Sequence, residues 1–306
     1  MPLVSIIMNV RDGAATLREA MDSVLAQTFM EWDLILWDDR SSDGSASIVA
    51  QFHDERIRYF LSPEDVPLGR ARRDAIRQAK GEWIAFLDQD DVWLPRKLEA
   101  QMALADADVG LIYGRAIRFY PNGMERDYDH AHEYQRLPEG DIFTQLFTKS
   151  CFIAMSSAVF RRSAIEAIGG RPENIQIIPD YYLYAAVARQ YQVRAVQAAV
   201  CRYRMHSGSM SQVAALQMHE EVLWLVDHWA SSLDPQVVKR CRKRHHTAIA
   251  LEEMRSLKTL RQGIARLFTH GSVTSQLSRP FTFAFHLIRR NVRRPYWRIP
   301  EKPSSV

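Results

Sequence analysis

The sequence predicts an α/β fold: a mixed, mainly parallel sheet with helices on both faces, followed by a helical, basic C-terminal extension. Three observations predict it. Short apolar runs alternate with helix-like periodicity through the first hundred residues, the pattern of right-handed βαβ units. Acidic residues recur just after those apolar runs, at the carboxyl ends of strands, where ligands collect in such sheets. Charge is divided along the chain: residues 254–300 carry ten Lys or Arg and no Asp or Glu, while residues 1–253 carry 29 basic and 35 acidic side chains. That division suggests two jobs, one for residues 1–212 and one for residues 213–306.

The elements follow in order. Leu3 to Met8 is a short apolar run suited to a buried parallel strand. Leu17, Ala20, Met21, Val24 and Leu25 recur at helical spacing. Trp32 to Trp37 is a second strand, and Ser45 to Phe52 a second helix. Ile57 to Leu61 is a third strand, followed by a helix from Leu68 to Ala79 that Gly81 ends. Glu82 to Leu87 is a fourth strand, and Pro95 has the place of a first helical residue, opening a helix to Ala105. Beyond Val109 the pattern loosens. Gly110 to Phe119, Ile153 to Phe160 and Val193 to Tyr203 read as strands, with a polar loop or short hairpin over Pro121 to Leu137 as an acceptor-binding insertion. Helices are expected from Arg162 to Ile168, from Asp180 to Ala188, beyond Val213, and from Gln236 to Phe268.

With 306 residues, the chain has room for one large domain or one domain with an appendage. Its 47% apolar and 25% charged content is ordinary for a soluble globular protein. Cys151, Cys201 and Cys241 are widely spaced, which suggests neither a zinc site nor a disulfide framework and favours a reducing compartment. No signal peptide pattern opens the sequence and no apolar run reaches bilayer length, so a cytoplasmic location is expected.

Leu87-Asp88-Gln89-Asp90-Asp91 is the most informative stretch. Three carboxylates within four residues repel one another and desolvate poorly. A hard divalent cation with oxygen ligands would neutralise them; a solvated loop before a helix is the alternative. Asp12, Asp38, Asp39, Asp88 and Asp90 each follow a predicted strand, so separation in sequence becomes proximity in space.

The ordered set of segments resembles the family 2 glycosyltransferases of the GT-A, Rossmann-like fold. The resemblance rests on Val4-Ser5-Ile6-Ile7, Gln27-Thr28-Phe29, Asp38-Asp39-Arg40-Ser41-Ser42-Asp43-Gly44-Ser45, Ala71-Arg72, Ala79-Lys80-Gly81-Glu82 and Leu87-Asp88-Gln89-Asp90-Asp91, and covers about residues 3–210. It implies a nucleotide-diphosphate sugar donor, a UDP-sugar above others. It places Asp12, Asp38, Asp39, Arg72 and Asp88 around that donor. Asp90, with His206 in Tyr203-Arg204-Met205-His206, would hold Mn2+ or Mg2+ on the diphosphate, where a divalent cation stabilises the leaving group's charge. An inverting transferase also needs a base for the acceptor hydroxyl. Asp180, following Gly169-Gly170, matches it, with Pro179 where the family usually has an acidic neighbour. One fewer carboxylate should raise the pKa of Asp180 less.

Other departures are Asn9-Val10-Arg11-Asp12 for the family's Pro-x-Tyr-Asn, Arg40 for a Gly, and Arg73 for an Asn. The extra arginines mark either unusual donor contacts or a charge balance for the carboxylates. In the tail, Phe281, Phe283, Phe285, Leu287 and Ile288 precede Arg289, Arg290, Arg293 and Arg294. That mixture suits an anionic membrane surface, contributing on the order of 1 kcal/mol per cation; a solvated helical cap is the alternative. Nucleic acid is not an expected partner, since no recognition fold accompanies the charge.

The resulting expectation is a metal-dependent, inverting transferase acting on a glycan or lipid-linked acceptor, peripheral to the cytoplasmic membrane. The rival is a degenerate transferase fold that binds nucleotide or a protein partner without turnover. A nucleotidyltransferase is disfavoured by the lack of an early Gly-rich phosphate loop.

Overall fold

The computed structural model describes residues 2–127, 135–148, 151–169, 172, 175–206 and 214–254, with residues 262, 264, 266 and 269 beyond. The aromatic and basic tail segment, the end of the Gln236–Phe268 helix, Gly170 and much of the polar insertion lie outside the described residues. The chain divides into two compact units, one of residues 1–146 with 150–205, the other of residues 147–149 with 206–306.

The first unit opens as β1 (Val4–Val10), α1 (Leu17–Leu25), β2 (Trp32–Asp38), α2 (Ser45–Val49), β3 (Ile57–Leu61), α3 (Leu68–Ile76) and β4 (Trp83–Phe86). These four strands are mutually parallel in the order β3-β2-β1-β4. In β1 every residue but Asn9 is buried, and all of β2 is buried, as strands covered on both faces must be. Helix α1 turns Leu17, Ala20, Met21 and Val24 onto one face of the sheet, the stripe its sequence spacing requires.

From there the chain runs β5 (Val92–Trp93), α4 (Lys97–Met102), β6 (Val109–Phe119), β7 (Glu125–Asp127), α5 (Phe143–Thr148), β8 (Val159–Arg161), α6 (Arg162–Ala167), α7 (Pro179–Ala188) and β9 (Gln192–Arg204). The sheet continues from β4 as β8-β6-β9-β5, with β7 paired to β6. Here β4–β8, β6–β8, β6–β7 and β5–β9 are antiparallel, while β6–β9 is parallel. Strand direction therefore reverses beside β4, at the carboxyl end where Asp88 follows.

Some local expectations change. Ile153–Phe160 is buried throughout but is not one strand: Met155–Ser157 forms a 3-10 turn, and only Val159–Arg161 pairs. The reason is tertiary. Ser157 Oγ donates to the Ala154 carbonyl at 2.7 Å, and Ser156 Oγ donates to Asp91 at 2.5 Å, so hydroxyl bonding overrides the apolar strand signal. Helix α4 begins at Lys97, two residues after Pro95.

In the second unit, α8 (Ala215–His228) packs against α9 (Pro235–Glu253). Asp234 caps α9 by accepting from the Gln236 and Val237 amides at 2.6 and 3.3 Å, with Pro235 at the first helical position. The Nδ1 atoms of His219 and His245 meet at 3.0 Å between the two helices. No described helix is long and apolar enough to cross a membrane.

Candidate active site at the carboxyl ends of the parallel strands

The loops after β1, β2, β3 and β4 converge. Asp12 takes a left-handed conformation (φ 48°), as does Arg40 (φ 61°). The Asp12 carboxylate accepts from the Ser42 amide at 2.8 Å and the Ser42 hydroxyl at 3.1 Å, while its own amide donates to Ser41 Oγ at 3.0 Å. Asp12 thus ties the first loop to the second.

Asp38 and Asp39 are both buried but differently engaged. Asp38 accepts from the Ser41 amide at 2.7 Å through Oδ1 and from the Tyr59 hydroxyl at 2.7 Å through Oδ2. Burial and the Asp38 carboxylate push the Tyr59 phenol up to about 12, so it stays a donor. Asp39 accepts only a 3.4 Å contact from Arg11 at Oδ2, and its Oδ1 is buried with no hydrogen-bond partner. The side-chain amide of Asn9 and the indole N–H of Trp37, cross-strand neighbours, are buried and unpartnered too. Unpaired buried polar atoms are rare enough to require an explanation, and a binding site supplies one.

Arg11 is held by Asp65, which takes the guanidinium on both carboxylate oxygens. Asp65 holds the Arg11 pKa above its ordinary value, and Arg11 in turn lowers that of Asp65. Gln89 grips the Arg11 backbone from the other side, accepting from its N–H at 2.8 Å and donating to its C=O at 3.0 Å. A Cβ at residue 13 would lie 2.4 Å from Gln89 Oε1, so a side chain there would have to displace the Gln89 amide. Arg40 donates to the Pro63 carbonyl at 3.2 Å. Arg11 and Arg40 each tie one loop of the site to the loop after β3.

The acidic run after β4 splits into separate roles. Asp91 is fully buried. It accepts from Ser156 Oγ at 2.5 Å and from the Arg204 amide at 2.9 Å. Burial, then the charges of Asp88 and Asp90, push its pKa well up. Ser156 Oγ also accepts from the Asp88 amide at 3.2 Å, so Asp91 fastens the run to β9. Asp88 accepts from Arg72 Nη2 at 2.7 Å. The half-buried Asp90 carries its carboxylate on the same turn, while its carbonyl accepts from Arg204 Nε at 2.7 Å.

Asp180 is the second residue of α7, half-buried, with Oδ1 accepting from the Tyr181 amide at 2.9 Å. Burial raises its pKa; Arg72 pulls it back down and Asp88 pushes it up. Burial works against the charge of Arg72, but Asp88 and Asp180 outweigh it and raise its pKa. The structure thus brings Asp88, Arg72 and Asp180 into one charge cluster. Burial, then the negative charge of Asp180, raises the Cys151 thiol.

His206 is half-buried, two residues beyond the end of β9, and is the first residue of its stretch of the second unit. Among the described residues no group of three or more His, Cys, Asp and Glu gathers closely enough to hold a metal ion by itself. The oxygen donors of Asp90 and Asp88 nonetheless suit a hard cation that takes one or two carboxylates and completes its shell with phosphates and water. Sequence reasoning missed Asp65, Gln89, Ser156 and the backbone of Arg204. None carries a local signal, since each matters only through a partner more than 50 residues away.

Comparison with known proteins defines the class of this fold and site. The family model for glycosyl transferase family 2 matches residues 5–169, and the chain belongs to that family. The sheet and its covering helices are the GT-A fold. Relatives include the UDP-Glc:alpha-D-GlcNAc-diphosphoundecaprenol beta-1,3-glucosyltransferase WfgD of Escherichia coli, 29% identical over 214 residues, covering 68% of this chain and 79% of that protein. A second Escherichia coli enzyme of the same description, WfaP, is 28% identical over 212 residues, covering 69% and 80%. Among solved structures, S. aureus TarS in complex with UDP-GlcNAc superposes with a TM-score of 0.69 at 18% identity, covering 87% of this chain and 80% of that one. The mannosyltransferase PcManGT from Pyrobaculum calidifontis, in complex with GDP-Man and Mn2+, superposes with a TM-score of 0.60 at 19% identity, covering 95% and 80%.

Proposed function

We propose that this chain is an inverting glycosyltransferase that takes a sugar from a UDP-sugar and passes it to a hydroxyl of a lipid-linked or glycan acceptor, with Asp180 as the general base. The observation that carries this reading is the cluster of Asp88, Arg72 and Asp180. A base must be ionised yet basic enough to take a proton. Burial raises the proton affinity of Asp180, and Arg72 keeps the rise in check. Its place at the start of α7 puts the carboxylate at the positive end of the helix dipole.

On the donor side, Asp39 would accept the imide N–H of the base. Asp12 and Asp38 shape the loop on which Asp39 sits, and Arg72 fixes the rotamer of Asp88 towards the donor. Asp90 is the carboxylate for a divalent cation, Mn2+ or Mg2+, which when bound supplies charge stabilisation to the departing diphosphate. The resemblance adds His206 as a further ligand. The diphosphoundecaprenol named in the description of WfgD supports a lipid-linked acceptor in glycan assembly. The ten basic and no acidic residues of 254–300 support work at the cytoplasmic membrane surface.

The test is transfer and donor hydrolysis across a panel of UDP-sugars with Mn2+, in wild type and Asp180→Asn. Turnover should need the metal, stop on chelation, and collapse in the variant. Wild-type protein that binds UDP without turning over any donor would favour the binding-only reading.

A further inference from the structure

The turn that carries Asp90 is pinned by a side chain from the far end of the sheet. Arg204, the last residue of β9, donates from Nε to the Asp90 carbonyl at 2.7 Å. The amide of the same peptide unit, that of Asp91, donates to the Asp88 carbonyl at 3.0 Å. A peptide plane is rigid, so holding both its polar ends fixes the backbone from which the Asp90 carboxylate projects. Arg204 is itself held. Its Nη2 donates to Glu19 of α1, its guanidinium lies 4.4 Å from the centroid of the Phe119 ring, and its side chain is only 23% exposed. Glu19 also balances its charge, so the brace adds no net charge beside Asp88, Asp90 and Asp91.

We infer that Arg204, anchored by Glu19, is a positioning residue for the divalent cation of the donor site: it holds the Asp90 carboxylate in place for the ion. The inference rests on the reading of Asp90 as the cation's ligand.

Carboxylates crowded on one turn repel one another, and a turn without a brace relaxes by moving them apart. A cation such as Mg2+ demands near-ideal placement of its oxygens. Asp91 anchors the end of the turn through Ser156 and the Arg204 amide, and the Arg204 side chain anchors its middle. Groups that orient a metal ligand are worth roughly 10–100-fold in metal affinity. Charge alone argues the other way. Arg204→Gln deletes a cation and leaves Glu19 anionic, which would draw a metal ion in. Placement and charge therefore predict opposite signs for the same variant. Arg202, two residues earlier on β9, is the matched comparison. Its guanidinium lies 4.4 Å from the centroid of the same Phe119 ring, and its hydrogen bonds go to Glu125 at 2.7 and 3.0 Å.

The experiment is calorimetric titration of UDP, with Mn2+ and with chelator, into wild type, Arg204→Gln, Glu19→Gln and Arg202→Gln. The quantity read is the gain in UDP affinity that Mn2+ confers, a ratio within one protein that an inactive fraction does not change. Arg204→Gln should lose roughly tenfold or more of that gain, while UDP affinity in chelator holds. Glu19→Gln leaves Arg204 unanchored and its charge unbalanced, so it should lose a smaller share. Arg202→Gln should keep the gain whole. An unchanged or larger gain in Arg204→Gln overturns the inference, the larger one reducing Arg204 to a charge. An equal loss in Arg202→Gln overturns it too, marking general damage to β9. Glu19 is exposed, so Glu19→Gln carries the test should Arg204→Gln not fold, and an undiminished gain there overturns the inference. Wild type that binds no UDP, or gains nothing from Mn2+, overturns the reading of the donor site and the inference with it.

Discussion

On the β1–β2 side of the site Asp12 and Asp38 are bound to protein groups, while on the β4–α7 side Asp88 and Asp180 share the charge of one arginine. Ser41, Ser42 and Tyr59 supply the donors to the first pair. The second pair keeps its oxygens largely for other work, since Asp88 accepts from Arg72 and Asp180 from one backbone amide. The contrast teaches that equal-looking carboxylates divide into those that hold the loop and those that, on the proposed function, face the chemistry. Removing the first kind should damage stability; removing the second should damage turnover.

Asp180→Asn tests the strongest form of this contrast. It keeps the shape and the Tyr181 contact but removes the proposed base, so kcat should fall about 10²–10⁴-fold while the Kd for UDP changes little. A near-normal kcat would dissolve the distinction between the two sides.

Arg72→Gln sharpens it. On the proposed function the working form of Asp180 is the carboxylate, and burial already raises its pKa, so activity should fall as pH drops through that raised value. Arg72 lowers the Asp180 pKa. Without it, the acid limb of the kcat profile should move to higher pH. A limb that stays in place would mean that another group sets it.

Paired substitutions of adjacent residues give a smaller but cleaner effect. Asp38→Ala strands the Tyr59 hydroxyl and the Ser41 amide, which should cost about 1–3 kcal/mol in chemical denaturation. Asp39→Ala strands neither, and Arg11 keeps Asp65, so stability should hold while UDP affinity drops. Equal destabilisation by both would break the comparison. The smallest effect expected is that of Tyr59→Phe, about 1 kcal/mol of stability, with UDP affinity unchanged by titration.

The first four strands were legible because a parallel strand covered on both faces must be an apolar run, as Ile6-Ile7-Met8 and Leu34-Ile35-Leu36 are. The segment Ile153–Phe160 misled for the same reason: it is buried, but its burial serves a turn set by Ser156 and Ser157. The two-residue β5 and the short α5 have too few residues for any periodicity to register. The acidic run after β4 was visible as a cluster. Its division was not, because Asp91 is distinguished only by Ser156 and Arg204, 65 and 113 residues away.

By itself the sequence determined the alternation of strand and helix, the three carboxylate-bearing strand ends and their order, since these follow from local apolar periodicity and turn chemistry. Only the tertiary structure decided which carboxylate oxygens have a protein partner. Asp38 and Asp39 are chemically identical neighbours, and what separates them is that one meets Tyr59 and Ser41 while the other meets Arg11 on one side alone. Hydrogen bonding is directional and short in range, so that difference exists only once distant segments have packed.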